Sequence, residues 1–97
     1  MDEIMNDLVL HVKKVYFDAI RDGHKPLEYR ERTPYWEKRL RGREYSGVQL
    51  HCGYPKSGDS SRIIRRRWNG FIEETIVHDH FGGRLVPVFS IDVSEAA

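Results

Sequence analysis

Val48, Leu50, Cys52 and Tyr54 alternate without interruption with Gln49, His51 and Gly53. A two-residue period sends successive side chains to opposite faces of a strand, so Gly47 to Tyr54 is predicted to lie in a sheet with its even-numbered face inward. A strand with one buried face needs partners and a covering layer, and the rest of the chain offers both. Asp7 to Lys13 sets Leu8, Leu10 and Val12 against Val9, His11 and Lys13. Leu27 to Arg32 sets Leu27 and Tyr29 against Glu28 and Arg30, which predicts a core face and a chemical face. Arg62 to Trp68 and Gly70 to His78 read as paired or bulged strands broken at Asn69-Gly70, a hairpin signal. Leu85 to Val93 carries Phe89, Ile91 and Val93 on one face, and Pro87 predicts an edge or strand-start position because proline cannot donate to a ladder.

The period changes to a helical one at Lys14. Tyr16, Ala19 and Ile20 fall at i, i+3 and i+4, and Gly23 supplies the residue that ends a helix, which predicts one over Val15 to Asp22. Thr33-Pro34 is a helix-start signal: threonine caps free N–H groups, and proline at the first helical position loses no hydrogen bond. Trp36 and Leu40 then pair at i, i+4, and Gly42 closes a second helix over Pro34 to Arg41. The chain has 97 residues, enough for one modest core. Two short helices among five or six strands predict a single α+β domain spanning residues 1–97 whose sheet curls toward a barrel.

Cys52 is the only cysteine, so neither an intrachain disulfide nor a paired-cysteine metal site is available. His78-Asp79-His80 and His51-Cys52 carry ligand-type side chains at no diagnostic spacing, and no metal or cofactor is expected. Apolar runs are far too short to span a bilayer, and the start Met1-Asp2-Glu3 is unlike a signal peptide, so a soluble, cytoplasmic protein is expected. The net charge of +1 hides a segregation: residues 1–29 sum to −2, residues 30–67 to +7 and residues 68–97 to −4. Such a block points to a basic face and an anionic partner, most economically a nucleic acid. Arg65-Arg66-Arg67 beside Trp68 reads either as nucleic-acid contact or as a solvated edge strand. Of Glu73 and Glu74, one must accompany the inward face of its strand, where a bulge near Asn69-Gly70 or pairing with an arginine is expected rather than a general acid or base.

Gly23-His24-Lys25-Pro26-Leu27-Glu28-Tyr29-Arg30, following a Tyr-Phe-x-x-Ile helix, resembles the G-x-K-x-x-E-x-R signature of ASCH domains, a PUA-like group. Pro34 to Leu40, Gly53-Tyr54-Pro55-Lys56 and Val88 to Val93 are similar to the short ASCH proteins of bacteria and phages. The resemblance covers most of the chain. It implies a PUA-like curled β-barrel of five or six strands with two short helices, and a cleft that binds RNA or a nucleotide. Some relatives are ribonucleases, and another branch hydrolyses acetylated cytidine through a threonine nucleophile where this chain has Glu28. A carboxylate cannot repeat a hydroxyl attack, which leaves only Thr33 or Ser57 as local hydroxyls for an N4-acetylcytidine amidohydrolase.

By the resemblance, Lys25 occupies the motif lysine, a long cation placed to meet phosphate or, if desolvated, to act as a base. Glu28 and Arg30 share one strand face and form either a structural ion pair or a ligand-orienting one. Tyr54 offers an aromatic surface for a base, or else closes the core, and Lys56 adds a cation for phosphate. The expected function is RNA or nucleotide binding, with metal-independent RNA cleavage if the protein is an enzyme: Lys25 and Glu28 would be catalytic, and Arg30, Tyr54 and Lys56 would bind substrate. The basic block also allows a non-catalytic module that docks on another protein.

Overall fold

The computed structural model describes residues 6–97, which form six strands, two helices and two single 3₁₀ turns. β1 (Leu8–Val12) pairs in parallel with β3 (Val48–Cys52), and β4 (Ile63–Arg66) closes this first sheet antiparallel to β3. The second sheet is antiparallel throughout, in the order β2 (Leu27–Glu31), β6 (Leu85–Asp92), β5 (Phe71–Val77). Helix α1 (Lys14–Arg21) follows β1, and α2 (Pro34–Leu40) follows β2. The domain is thus α+β. It is not a closed barrel, because its strands form two separate three-stranded sheets.

Closure fails at the predicted hairpin. β4 and β5 do not pair with each other, and Asn69-Gly70 instead carries the chain from one sheet to the other. Gly70 sits at φ 78°, the left-handed region that only glycine enters cheaply, and its carbonyl accepts from Asp92 N at 3.2 Å. An Asn-Gly pair specifies a local reversal, and whether the flanking strands meet depends on their other partners.

One core holds the layers together. Leu8 and Leu10 of β1, Val48 and Leu50 of β3, and Phe89 and Ile91 of β6 are fully buried, with Phe17 and Ile20 of α1 and Leu40 of α2 packed among them. The inward faces of β1 and β3 are those the alternation predicts. Two other strands differ. In β2 the charged face is the inner one: Glu28 is only 7% exposed, whereas Leu27 and Tyr29 are half-buried and outside the core cluster. Alternation divides a strand into two faces without saying which is covered, and a carboxylate tolerates burial when cations accompany it. In β6, Pro87 lies in the central strand, not at an edge. Its carbonyl accepts from Arg32 N, on the β2 side, one residue beyond the last β2 pair, Glu31 with Val88. The missing N–H therefore faces the end of the ladder and costs no bond there.

Helix α2 begins as its sequence requires, with Thr33 Oγ1 accepting from Trp36 N at 3.4 Å and Pro34 in the first turn. Thr33→Ala is expected to lower stability by about 1 kcal/mol, read as a fall in the urea midpoint. An unchanged midpoint would mean that the cap contributes nothing.

The +7 segment does not form a bare basic face. Arg65 makes a two-pronged contact with Asp7, both bonds at 2.9 Å, and Arg67 pairs with Glu95 at 3.5 Å. Half-buried Arg66 donates to the carbonyls of Ile20 and Val93, closing the C-terminal end of α1. Glu73 binds Arg32 and Arg41, and Glu74 accepts from Ser90. Acidic residues of the flanking segments are spent on the central arginines. No described helix is long and apolar enough to cross a membrane.

Candidate functional site

The inward charge of β2 opens into a cavity of about 530 Å³, within the range of small-molecule sites. Its floor is a charge cluster. Arg30 donates to Glu28 at 2.9 Å and to the His11 carbonyl at 2.9 Å, and the Lys25 ammonium lies 3.7 Å from the other Glu28 oxygen. That separation is an ion pair without a hydrogen bond. Lys25 is held instead by aromatic faces, 4.5 Å from the Tyr29 ring centre and 5.3 Å from that of Tyr16. Apart from this long contact with Glu28, no polar partner of its ammonium is found among the described residues. Burial pulls the Lys25 pKa below the ordinary lysine value, outweighing the opposing attraction of Glu28.

The walls are aromatic. Trp36 lies under the Arg30 guanidinium, 5.1 Å from ring to cation. Tyr54 is 84% exposed, so it does not close the core, and it stacks on His11 with ring centres 4.1 Å apart and planes 19° from parallel. Tyr16, Tyr29, His78, His80 and Phe81 complete the opposite side, with His78 and His80 presented by the 3₁₀ turn Asp79–Phe81. His11 Nδ1 lies 2.7 Å from the Gly53 carbonyl. A carbonyl only accepts, so the imidazole proton sits on Nδ1 and the neutral ring keeps its lone pair on Nε2. Behind it, burial and the neighbouring His11 lower the pKa of His51.

Lys25, Glu28, Arg30 and Tyr54 therefore come together as the sequence suggested, and Lys56 does not join them: it is exposed in the loop after β3 and lines no part of the cavity. Thr33 does line the cavity, but its hydroxyl oxygen is occupied as the α2 cap, and Ser57 is absent from the lining. Among the described residues, no three His, Cys, Asp or Glu side chains cluster as a metal site. Sequence reasoning missed His11 and Trp36, and read Tyr16 only as a helix contact and His78 and His80 only as loop residues. For His11 the local signal was its place on the outer face of β1. Its partners come from β3, where it pairs with His51, and from the turn after β3.

Compared with known proteins, the chain matches no family model, no curated protein and no solved structure. What it binds must be read from the cavity itself.

Proposed function

We propose that this protein is an RNA- or nucleotide-binding domain of the ASCH type, with a PUA-like arrangement of its sheets, and that the cavity between α1, β2 and α2 receives a base and its sugar-phosphate. The observation that carries this reading is one cavity uniting planar aromatic side chains, Trp36 and Tyr54, with a largely buried lysine held by rings and a long ion pair. Bases stack on any aromatic face, and ammonium groups meet phosphate. Fixed by Glu28 and the His11 carbonyl, Arg30 is pre-organised at the junction. A protein-docking module fits less well, because Arg32, Arg41, Arg65 and Arg67 of the basic segment are paired within the fold.

Fluorescence anisotropy with a short single-stranded RNA tests the reading. Binding is expected at low salt and should weaken steeply as salt rises, because neutralised phosphates release counterions. Trp36→Ala should weaken binding by about 1–3 kcal/mol, the usual worth of one stacked base. No binding at low salt removes the proposal.

The burial of Lys25 favours a second step, cleavage of RNA without a metal. A lysine whose pKa is lowered by burial gives up its proton at a lower pH than an ordinary lysine does, and RNA brings its own nucleophile. Lys25 Nζ takes the proton of the 2′-OH, O2′ bonds to phosphorus, and the P–O5′ bond breaks as O5′ takes a proton from water. The products are a 2′,3′-cyclic phosphate and a 5′-hydroxyl, and Arg30 offset by Glu28 offers positive charge to the phosphorane.

A further inference from the structure

A second cavity, of about 270 Å³, lies against the first and shares His11, Arg30, Trp36 and Tyr54 with it. The new elements are Val9 of β1 and, from α2, Tyr35 and Arg39. Arg39 differs from the paired arginines around it. Its guanidinium lies 5.3 Å from the Tyr35 ring centre and 5.7 Å from that of Trp36, its Nε, like that of Arg30, is buried with no hydrogen-bond partner, and no carboxylate among the described residues pairs with it. Arg30, Arg32, Arg41, Arg65 and Arg67 all have acidic partners. A half-buried guanidinium with no counter-charge is costly unless something outside the chain supplies the acceptor. Arg39 is also locked in place by its backbone, since its carbonyl accepts from the Tyr45 hydroxyl.

We infer that the smaller cavity is a phosphate subsite, in which Arg39 forks onto a phosphate of the same ligand whose base lies in the larger cavity. The inference rests on the proposed base-binding role of that larger cavity and specifies its ligand: a phosphorylated nucleotide, met most fully by an RNA strand, and not a free base or nucleoside. Trp36 lines both cavities, with the Arg30 guanidinium 5.1 Å and that of Arg39 5.7 Å from its ring centre. The two guanidiniums differ in their partners: Arg30 shares Glu28 with Lys25, whereas Arg39 has no counter-charge among the described residues. A planar guanidinium flanked by rings keeps its fork oriented, and that geometry suits two phosphate oxygens better than one point charge does.

The test compares affinities of the full chain for uridine, for uridine 5′- and 3′-monophosphates and for the dinucleotide UpU, by calorimetry at low salt. Wild-type protein is expected to bind at least one monophosphate, and UpU, about tenfold or more tightly than uridine. Arg39→Gln should erase that advantage while leaving uridine affinity unchanged. Arg39→Lys, which keeps the charge and loses the fork, should restore only part of it, and Lys38→Gln, on an exposed neighbour outside both cavities, should match wild type. With longer single-stranded RNA, Arg39→Gln should also lower the salt slope by about 0.7, one phosphate contact. Thermal unfolding of each variant separates lost binding from lost fold. Equal affinity for uridine and its phosphates overturns the subsite and leaves base binding standing. A phosphate advantage that survives Arg39→Gln and disappears in Lys25→Met overturns it as well, placing the phosphate on Lys25. Failure of every probe to bind overturns both readings.

Discussion

Glu28→Ala is expected to be the most damaging single change outside the apolar core, lowering stability by about 3 kcal/mol. Glu28 lies between two cations whose side chains are themselves largely buried, Lys25 at 15% and Arg30 at 20% exposure. Deleting the carboxylate leaves two positive groups facing the cavity with no counter-charge. A whole domain of this size is held by only about 5–15 kcal/mol, so the loss is a large share of the total. Urea unfolding should show a lower midpoint with an unchanged slope, and adding Arg30→Met should recover part of the loss, because the repelling partner is gone. A shift below about 1 kcal/mol, typical of an exposed pair, would show that the cluster is solvated. Glu28 also opposes the drop in the Lys25 pKa, so in Glu28→Ala the ammonium should titrate lower still.

Under the proposed cleavage, Lys25→Ala should reduce the rate by about 10²- to 10⁴-fold, the usual worth of a general base, while chelation leaves the wild-type rate intact. The pH dependence separates the roles open to a lysine. A base acts when neutral, and burial lowers the folded-state pKa of Lys25, so activity should rise with pH through a midpoint below that of an ordinary lysine. An ammonium that only stabilises charge gives the reverse, activity falling over the same range. Lys25→Arg, cationic at every accessible pH, should be as inactive as Lys25→Ala. Cleavage that persists at full rate in Lys25→Ala removes the catalytic assignment, and loss of activity tracking the substitution excludes a contaminating nuclease. The same shift bears on stability: the unfolded chain keeps its proton to higher pH than the folded one, so the cost of burying Lys25 shrinks as pH rises between the two pKa values.

Local rules read the local elements well. β1, β3, α1 and α2 lie within a residue or two of where alternation, the Thr33-Pro34 start and the glycine stops place them. These signals depend on neighbours in sequence, and that is all a period or a cap requires. Three features depended on distant partners and were not legible. The inward turn of Glu28 and Arg30 needs the cover of Trp36 and the His11 carbonyl; Pro87 is tolerated centrally because β2 ends beside it; and β4 and β5 part company because β3 and β6 claim them. The charge block misled for the same reason. Counting along the chain assigns +7 to its middle, whereas folding brings Asp7, Glu73 and Glu95 from either side onto Arg65, Arg32 and Arg67. For the site, Lys25, Glu28 and Arg30 lie within one short stretch and could be found together. His11 and Arg39 could not, since nothing near either residue in sequence marks it as part of a cavity.

The central place of β6 in the second sheet has a consequence for how the molecule is made. β2 carries the charge cluster and is synthesised early, yet among the described residues its only strand partner is residues 85–92. While the nascent chain still lacks those residues, β2 has no ladder to join and Glu28 no formed interior to enter, whereas β1, β3 and β4 are already complete enough to assemble. Pairings that span so much of a chain are slow to form, because the intervening loop must be closed before any contact rewards it. The cavity around Glu28 is therefore among the last parts of the protein to form: a growing chain has half a core before it has this pocket.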